Sequence, residues 1–390
     1  MSARTSVAVA LAGLIAGCAH TPPAATTASV CPAVAATWTP RPWPPATPIT
    51  DRAHPCARAT PTPGANQLSF GPDVDEALHC VELFYSGPDG IPIDAMLKSA
   101  LDALVRVQPE ARRVAMIAVL HNPTDIPSLT RALLDVAWET RKRVGWLTDP
   151  APELVLLDGA LAALAWQTEL LRPAVRARGK PSESYTAVAK DGLVYVKVGD
   201  LVSGVAALLR QGLVWPAPTG VILDLRGSTG GRLDQVIALA NLFIRDGCLM
   251  APYPWRRALA KVARPGLHVD APLVVLVDGK TASGAELLAA TLRAHDRALV
   301  VGDKTMGVAL LQILLKLRSG GSVKLTLAEM RAGDGTPIHG RGVEPDVALP
   351  PGFEPRASVE DRGIDFAKKT LRRSFRGSRA ALLQTARAIR

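Results

Sequence analysis

Two segments of this chain repeat one design. VILDLRGSTGG at residues 221–231 runs from an apolar, β-branched stretch into a polar, glycine-rich turn, and an amphipathic run at helical spacing follows over residues 233–244. The second segment opens on the apolar residues 273–277, turns, and places Ser283 at the start of a helix that reaches about Ala294. Strand, turn and helix in that order, twice, commit this part of the chain to an α/β fold. Glycines at such a turn let backbone N–H groups face a concave site, and the N-terminus of the following helix adds positive potential, so the turn suits an anion or a developing oxyanion. Each segment has a plainer reading as well. The first can be a tight turn in an ordinary α/β domain, and Ser283 can be a helix cap whose capping box is completed by Glu286.

Order and spacing carry more than either segment alone. LDLRGSTGG is followed about fifty residues later by TASGAE, then by RALVVGDKTMG, and then by a β-hairpin and GRGVEPDV at residues 340–347. Over residues 184–350 this series resembles the carboxyl-terminal processing, or tail-specific, serine proteases. The resemblance implies a ClpP/crotonase-like α/β core, protein or peptide substrates cleaved by acyl transfer, and no cofactor. It also implies a Ser/Lys catalytic pair in which a neutral lysine deprotonates the serine, with a glutamine four residues after that lysine. Carried onto this chain, the nucleophile is Ser283, the glutamine is Gln312, and the N–H groups near Gly230, Gly231 and Gly284 hold the oxyanion.

The lysine slot, 25 residues after Ser283, holds Val308. Valine neither accepts a proton nor donates a hydrogen bond, and serine is a weak nucleophile until a base takes its proton. The segment SGAE, in place of the usual SASE, is similar to the retinoid-binding-protein-like and tricorn-like branch of the superfamily, which also lacks the lysine and draws a histidine from upstream. The candidate replacement bases are therefore Lys304, four residues before the slot, and His121, which precedes the core. Lys304 also reads as a solvated or structural charge, and His295 and His339, inside the matched blocks, read as surface or loop positions. Three functions are left open: a serine peptidase with another base, a non-catalytic peptide-binding adaptor or scaffold, and a hydrolase of small esters on the same scaffold.

Other chemistries find no support. There is no HExxH, the five cysteines are too scattered for a zinc site, and RGSTGG lacks the spacing and the downstream acid that nucleotide binding needs. Residues 1–18, with Arg4, a short apolar run and LIAGC ending at Cys18, read as a secretory leader and resemble a bacterial lipobox, which implies acylation of Cys18. Ala19 after that cysteine favours the outer membrane, facing the periplasm. Residues 19–66, rich in Pro, Ala and Thr, form an extended tether, and Cys31, Cys56, Cys80 and Cys248 could make two disulfides of unspecified connectivity.

Residues 67–180 turn helical: Asp94 can cap a helix that lines up Met96, Leu97, Leu101, Leu104 and Val105, and further helices are expected near 126–146 and 154–171. The protease core then occupies 181–352, and only about a dozen residues separate Arg178 from its first strand at 192–198, too few for a PDZ domain. The formal charge of +10 is concentrated in the helical tail, residues 353–390, where residues 356–390 hold ten Lys or Arg against three Asp or Glu. That tail reads as a basic helix closing the domain, with anionic envelope partners as the alternative. Nucleic acid does not fit an exported lipoprotein with no base-stacking module.

Overall fold

A computed structural model describes residues 31, 62–63, 65, 68–85, 90–145, 150–164, 168–171, 184–188, 191–214, 217–253, 260–317, 320–349, 361–374 and 378–389. The leader, the lipidation call at Cys18 and most of the tether lie outside the described residues.

Among the described residues five α-helices form the N-terminal part: α1 (Gly71–Phe84), α2 (Ile93–Val107), α3 (Arg112–His121), α4 (Ile126–Arg143) and α5 (Pro152–Ala162). The apolar stripe of α2 buries Met96, Leu97, Leu101 and Leu104. Asp94 does not cap it. The helix begins two residues earlier than such a cap would set it, at Ile93 after Pro92, and Asp94 lies in its first turn beside the helix dipole's positive end. At α4 the cap is Asp125, whose carboxylate accepts the Ser128 N–H at 2.8 Å. The helix anticipated over 154–171 ends at Ala162, and β1 (Glu169–Leu171) pairs antiparallel with Ser322–Lys324 instead. Long-range pairing here overrides the helical pattern of the leucines.

The core sheet has six strands: β2 (Tyr185–Val188), β3 (Leu193–Lys197), β4 (Gly220–Asp224), β7 (Leu273–Val277), β8 (Leu299–Gly302) and β11 (Val347–Ala348), in the order β11-β8-β7-β4-β3-β2. All pairings are parallel except the β2 edge. Alternate residues therefore face opposite layers. Val221, Leu223 and Val275 pack under α6 (Val205–Val214), α7 (Leu233–Asn241) and α8 (Gly284–Ala294), whereas Ile222, Val274 and Leu276 pack with Leu371 of α9 (Arg362–Arg373) and Leu382 of α10 (Arg379–Ile389). The basic tail thus closes the second face of the sheet with its apolar side.

The second sheet is built on β10 (Ser322–Arg331), which pairs with β9 (Leu310–Lys316), β1 and β5 (Cys248–Tyr253); β5 in turn pairs with the short β6 (Lys261–Val262). Leu315, Leu317, Val323, Leu325 and Leu327 of the β9–β10 hairpin are buried in the same cluster as the N-terminal helices. The helical part and the core therefore share a hydrophobic interior across the boundary at residue 180. Cys31 is bonded to Cys248 at the start of β5, fixing one point of the tether to the core, and Cys80 is disulfide-bonded as well.

Two buried carboxylates lock the tail to the sheet. Asp224 receives Arg226 Nε at 2.9 Å, Arg226 Nη2 at 2.6 Å and the Tyr195 hydroxyl at 2.7 Å, and Arg226 also reaches Asp361, the N-cap of α9, at 2.7 Å. Asp346 receives Arg293 at 2.8 Å and Val300 N–H at 3.0 Å, and is paired with Arg379 of α10. Burial alone would push both carboxyls up, but these donors outweigh it and hold them below the ordinary carboxylate value. A folded-state value below the unfolded one means stability that is present above about pH 4 and is lost as the pH falls through the depressed values. Urea midpoints should accordingly be flat near neutrality and fall below about pH 4, and Asp346→Asn should reduce that acid slope.

Candidate active site

The site is assembled where two strand-to-helix turns meet. The turn after β4 is stitched on one side to residues 199–201, through Leu201 N–H to Gly230 O at 2.7 Å, Arg232 N–H to Leu201 O at 2.8 Å and Ser228 Oγ to Gly199 O at 2.7 Å. On the other side Ala282 N–H donates to Ser228 O at 2.9 Å, which fastens it to the turn after β7. Gly230 is required at the junction. Its φ is +83°, and a β-carbon there would lie 2.5 Å from Gly284 N and 2.8 Å from Ala282 O.

Ser283 caps α8 with φ 54° and ψ −121°, a region that costs a residue with a side chain on the order of 1–3 kcal/mol and is characteristic of functional sites. Its side chain is half-buried beside the glycine turn. Among the described residues the N–H groups of Gly231 and Gly284 donate to no other group, and a β-carbon on Gly284 would lie 3.6 Å from Gly231 N. Two free N–H groups at a helix N-terminus beside a serine form a place for a negative oxygen. The structure therefore brings Ser283, Gly230, Gly231 and Gly284 together.

Glu286 fixes this arrangement. Fully buried one turn into α8, it accepts Ser283 N–H at 3.0 Å and Val308 N–H at 2.8 Å on one oxygen, and Gly307 N–H at 2.6 Å and the Thr305 hydroxyl on the other. The cap reading of Glu286 holds, and the side chain does more: it clamps residues 305–308 against the serine turn. One carboxylate oxygen thus bridges the backbones of Ser283 and Val308, the position the resemblance assigns to the base.

The other candidates are placed elsewhere or differently. Lys304 Nζ forms an exposed ion pair with Glu344 at 2.6 Å, so its ammonium is engaged in solvent and does not fill the slot at Val308. Gln312 donates from Nε2 to Thr326 Oγ1 at 2.9 Å across the β9–β10 ladder. His121 is exposed at the end of α3, 3.8 Å from Asp135. His295 caps the far end of α8, about 18 Å from Ser283 at 1.5 Å per residue, with Nε2 on Cys248 O at 2.7 Å. Among the described residues no group of three or more His, Cys, Asp or Glu could hold a metal ion.

The sequence reading had no place for Thr305. Its hydroxyl donates to Glu286 and accepts Val343 N–H at 2.7 Å, tying the Glu286 clamp to the GRGVEPDV segment. No local signal marks it, because both partners are distant along the chain.

With this geometry in view, the comparisons are specific. Residues 202–349 match the family model described as Peptidase family S41. The chain carries a peptidase S41 domain. Carboxy-terminal processing protease CtpA of Bacillus subtilis is 38% identical over 130 residues, covering 33% of this chain and 28% of that protein. The chloroplastic C-terminal processing peptidase of Tetradesmus obliquus is 32% identical over 168 residues, covering 42% of this chain and 36% of that protein. A solved photosystem II D1 C-terminal processing protease is 28% identical, with TM-score 0.39, over 48% of this chain and 49% of the other. The chain thus spans about a third of the length of each of these two curated relatives. The S41 domain begins just after β3 and ends after β11, so it contains Ser283, the glycine turn and the Glu286 clamp.

Proposed function

We propose that this protein is a serine-type endopeptidase of the cell envelope that cleaves protein substrates through Ser283. The observation that carries the reading is Ser283 held at φ 54° on the N-terminus of α8, against the free N–H groups of Gly231 and Gly284. In this reading Oγ attacks the scissile carbonyl and the two N–H groups receive the negative oxygen of the tetrahedral intermediate. Collapse expels the amine, leaving an acyl-enzyme that water hydrolyses. Val308 stands in the place of the family's lysine, so the proton of Oγ must go to another group.

Val308 also favours a second reading, a family member that has lost turnover and binds peptides in the old cleft as an adaptor. Acylation at Cys18 would anchor either form to the membrane, with residues 19–66 as the tether. The Cys31–Cys248 disulfide supports an oxidising compartment such as the periplasm. Among the described residues no helix is long and apolar enough to cross a membrane.

The experiment is labelling of the chain by a fluorophosphonate, beside cleavage of an unfolded protein, in the parent and in Ser283→Ala. Labelling mapped to Ser283, with cleavage that disappears in the variant, is the expected result. A parent that neither labels nor cleaves at any pH, yet binds peptides with an affinity Ser283→Ala leaves unchanged, establishes the adaptor.

A further inference from the structure

We propose that the face of the core bearing Arg210, Lys261 and Arg264 is a docking surface for a bilayer containing anionic phospholipid, brought to it by the Cys31–Cys248 disulfide. This surface rests on the reading of Cys18 as a lipid anchor and decides which side of the core that anchor presents to the membrane.

The disulfide sets where the lead from the anchor arrives. Only residues 19–30 separate Cys18 from Cys31, and a lead of that length spans at most about 45 Å. The next described residue along the chain is Thr62, tied to the N-terminal helices by its N–H and hydroxyl on Asp75. A shorter lead raises the concentration of the core at the bilayer, roughly sixfold for residues 19–30 against residues 19–61. It also delivers one particular face. Cys248 lies opposite Val262 in the β5–β6 ladder, and Val262 is 44% exposed. Two residues on, Arg264 N–H donates to Asn241 Oδ1 of α7 at 2.9 Å. That bond seats the chain beside a groove of about 370 Å³ between α6, α7 and residues 264–267. Ala207, Arg210, Ala238, Arg264 and Leu267 line the groove, and no acidic residue does.

Charge and apolar surface here suit phospholipid. Arg210 and Arg264 are exposed and Lys261 is half-buried, and among the described residues none of these three side chains is paired with an acid. Burial, with the Arg264 charge beside it, lowers the Lys261 pKa, as happens where cations gather without a counter-charge. The acids flanking this stretch of chain are Asp246 and Asp270, and Asp270 is taken up by Arg245. Leu208, next to Ala207 on α6, is 53% exposed, and Leu267 is 43% exposed. Exposed leucines taken singly mean little. Set among three cations where an acylated lead arrives, they can enter the acyl boundary while the cations meet headgroup phosphates. An acidic protein would meet the same charges, but the lead carries this face to a bilayer.

The test is co-sedimentation of vesicles with the chain from Ala19, which keeps every described residue and carries no acyl group. Vesicles of equal parts phosphatidylcholine and phosphatidylglycerol should bind it on the order of 100-fold more tightly than phosphatidylcholine alone, and the difference should shrink as salt is added. Arg210→Glu with Arg264→Glu should weaken binding at least ~10-fold, whereas Lys368→Glu with Lys369→Glu, the same change of charge placed in α9, should leave it within ~3-fold of the parent. Urea midpoints check that both variants are folded, and the lipid selectivity of the parent needs no variant. Equal binding to the two kinds of vesicle overturns the proposal. So does an equal loss in the two variants, which would mean that net charge, and not this face, meets the lipid. Mass spectrometry of the chain recovered from cells tests the anchor separately. Acylation of Cys18 without lipid selectivity of the chain from Ala19 keeps the anchor and removes the surface; selectivity without acylation supports the surface and removes the anchor.

Discussion

Glu286→Ala should lower the melting temperature by roughly 8 °C and abolish labelling of Ser283. The side chain is fully buried and serves four donors: the N–H groups of Ser283, Gly307 and Val308 and the hydroxyl of Thr305. Deleting it leaves buried donors without an acceptor, each costing about 1–3 kcal/mol, and opens a cavity beside them. Partial relaxation brings the net loss to about 4 kcal/mol. For a chain of this size each kcal/mol is worth about 2 °C. Activity should suffer beyond the loss of folded protein, because the same carboxylate holds Ser283 at φ 54°. Freed of that bond, the residue can relax toward an ordinary cap conformation and carry Oγ away from the Gly231 and Gly284 N–H groups. Glu286→Gln should fall between, since its amide oxygen still accepts while its NH2 group meets donors. Calorimetry and labelling on both variants check this, and an alanine variant melting within 2 °C of the parent would remove Glu286 from the clamp.

The parts of this architecture that were legible in the sequence are those fixed by near neighbours. Strands β4 and β7 are five-residue runs buried on both faces, and each is followed at once by a turn and an apolar-periodic helix. Ser283 could be located because glycine and the i+3 glutamate mark a helix start, although the same marks describe an ordinary cap. What could not be read is what depends on distant residues. Leu170 and Leu171 continue a leucine pattern that suits a helix, yet their backbone groups pair with β10 about 150 residues later. Three of the four donors on Glu286 come from residues 305–308, which local spacing cannot join to it. Lys304 is the converse case, offered by the sequence both as a base and as a solvated charge. Its position four residues before the slot suggests a base, but its amine is spent on Glu344.

Gly230→Ala should cost the site more than the fold. Two effects combine at this position: a φ of +83°, and a β-carbon placed 2.5 Å from Gly284 N, 2.8 Å from Ala282 O and 3.0 Å from Ser283 Cβ. The first two neighbours are backbone atoms with no rotamer to change, so the turn and the start of α8 must move apart. That motion separates the Gly231 and Gly284 N–H groups from Ser283. Losing one well-placed oxyanion donor typically costs 10²–10³-fold, so labelling should slow by at least ~100-fold. Gly227→Ala supplies the control. Its φ of +71° is similar, but nothing lies within 4 Å of its β-carbon, leaving only the left-handed backbone penalty of about 1–2 kcal/mol. Both variants should therefore lose the stability that the positive φ costs, Gly230→Ala should lose more through its backbone clashes, and only Gly230→Ala should lose the reactive serine. Equal labelling in the two would mean that the close packing of the turns does not set the geometry of the site.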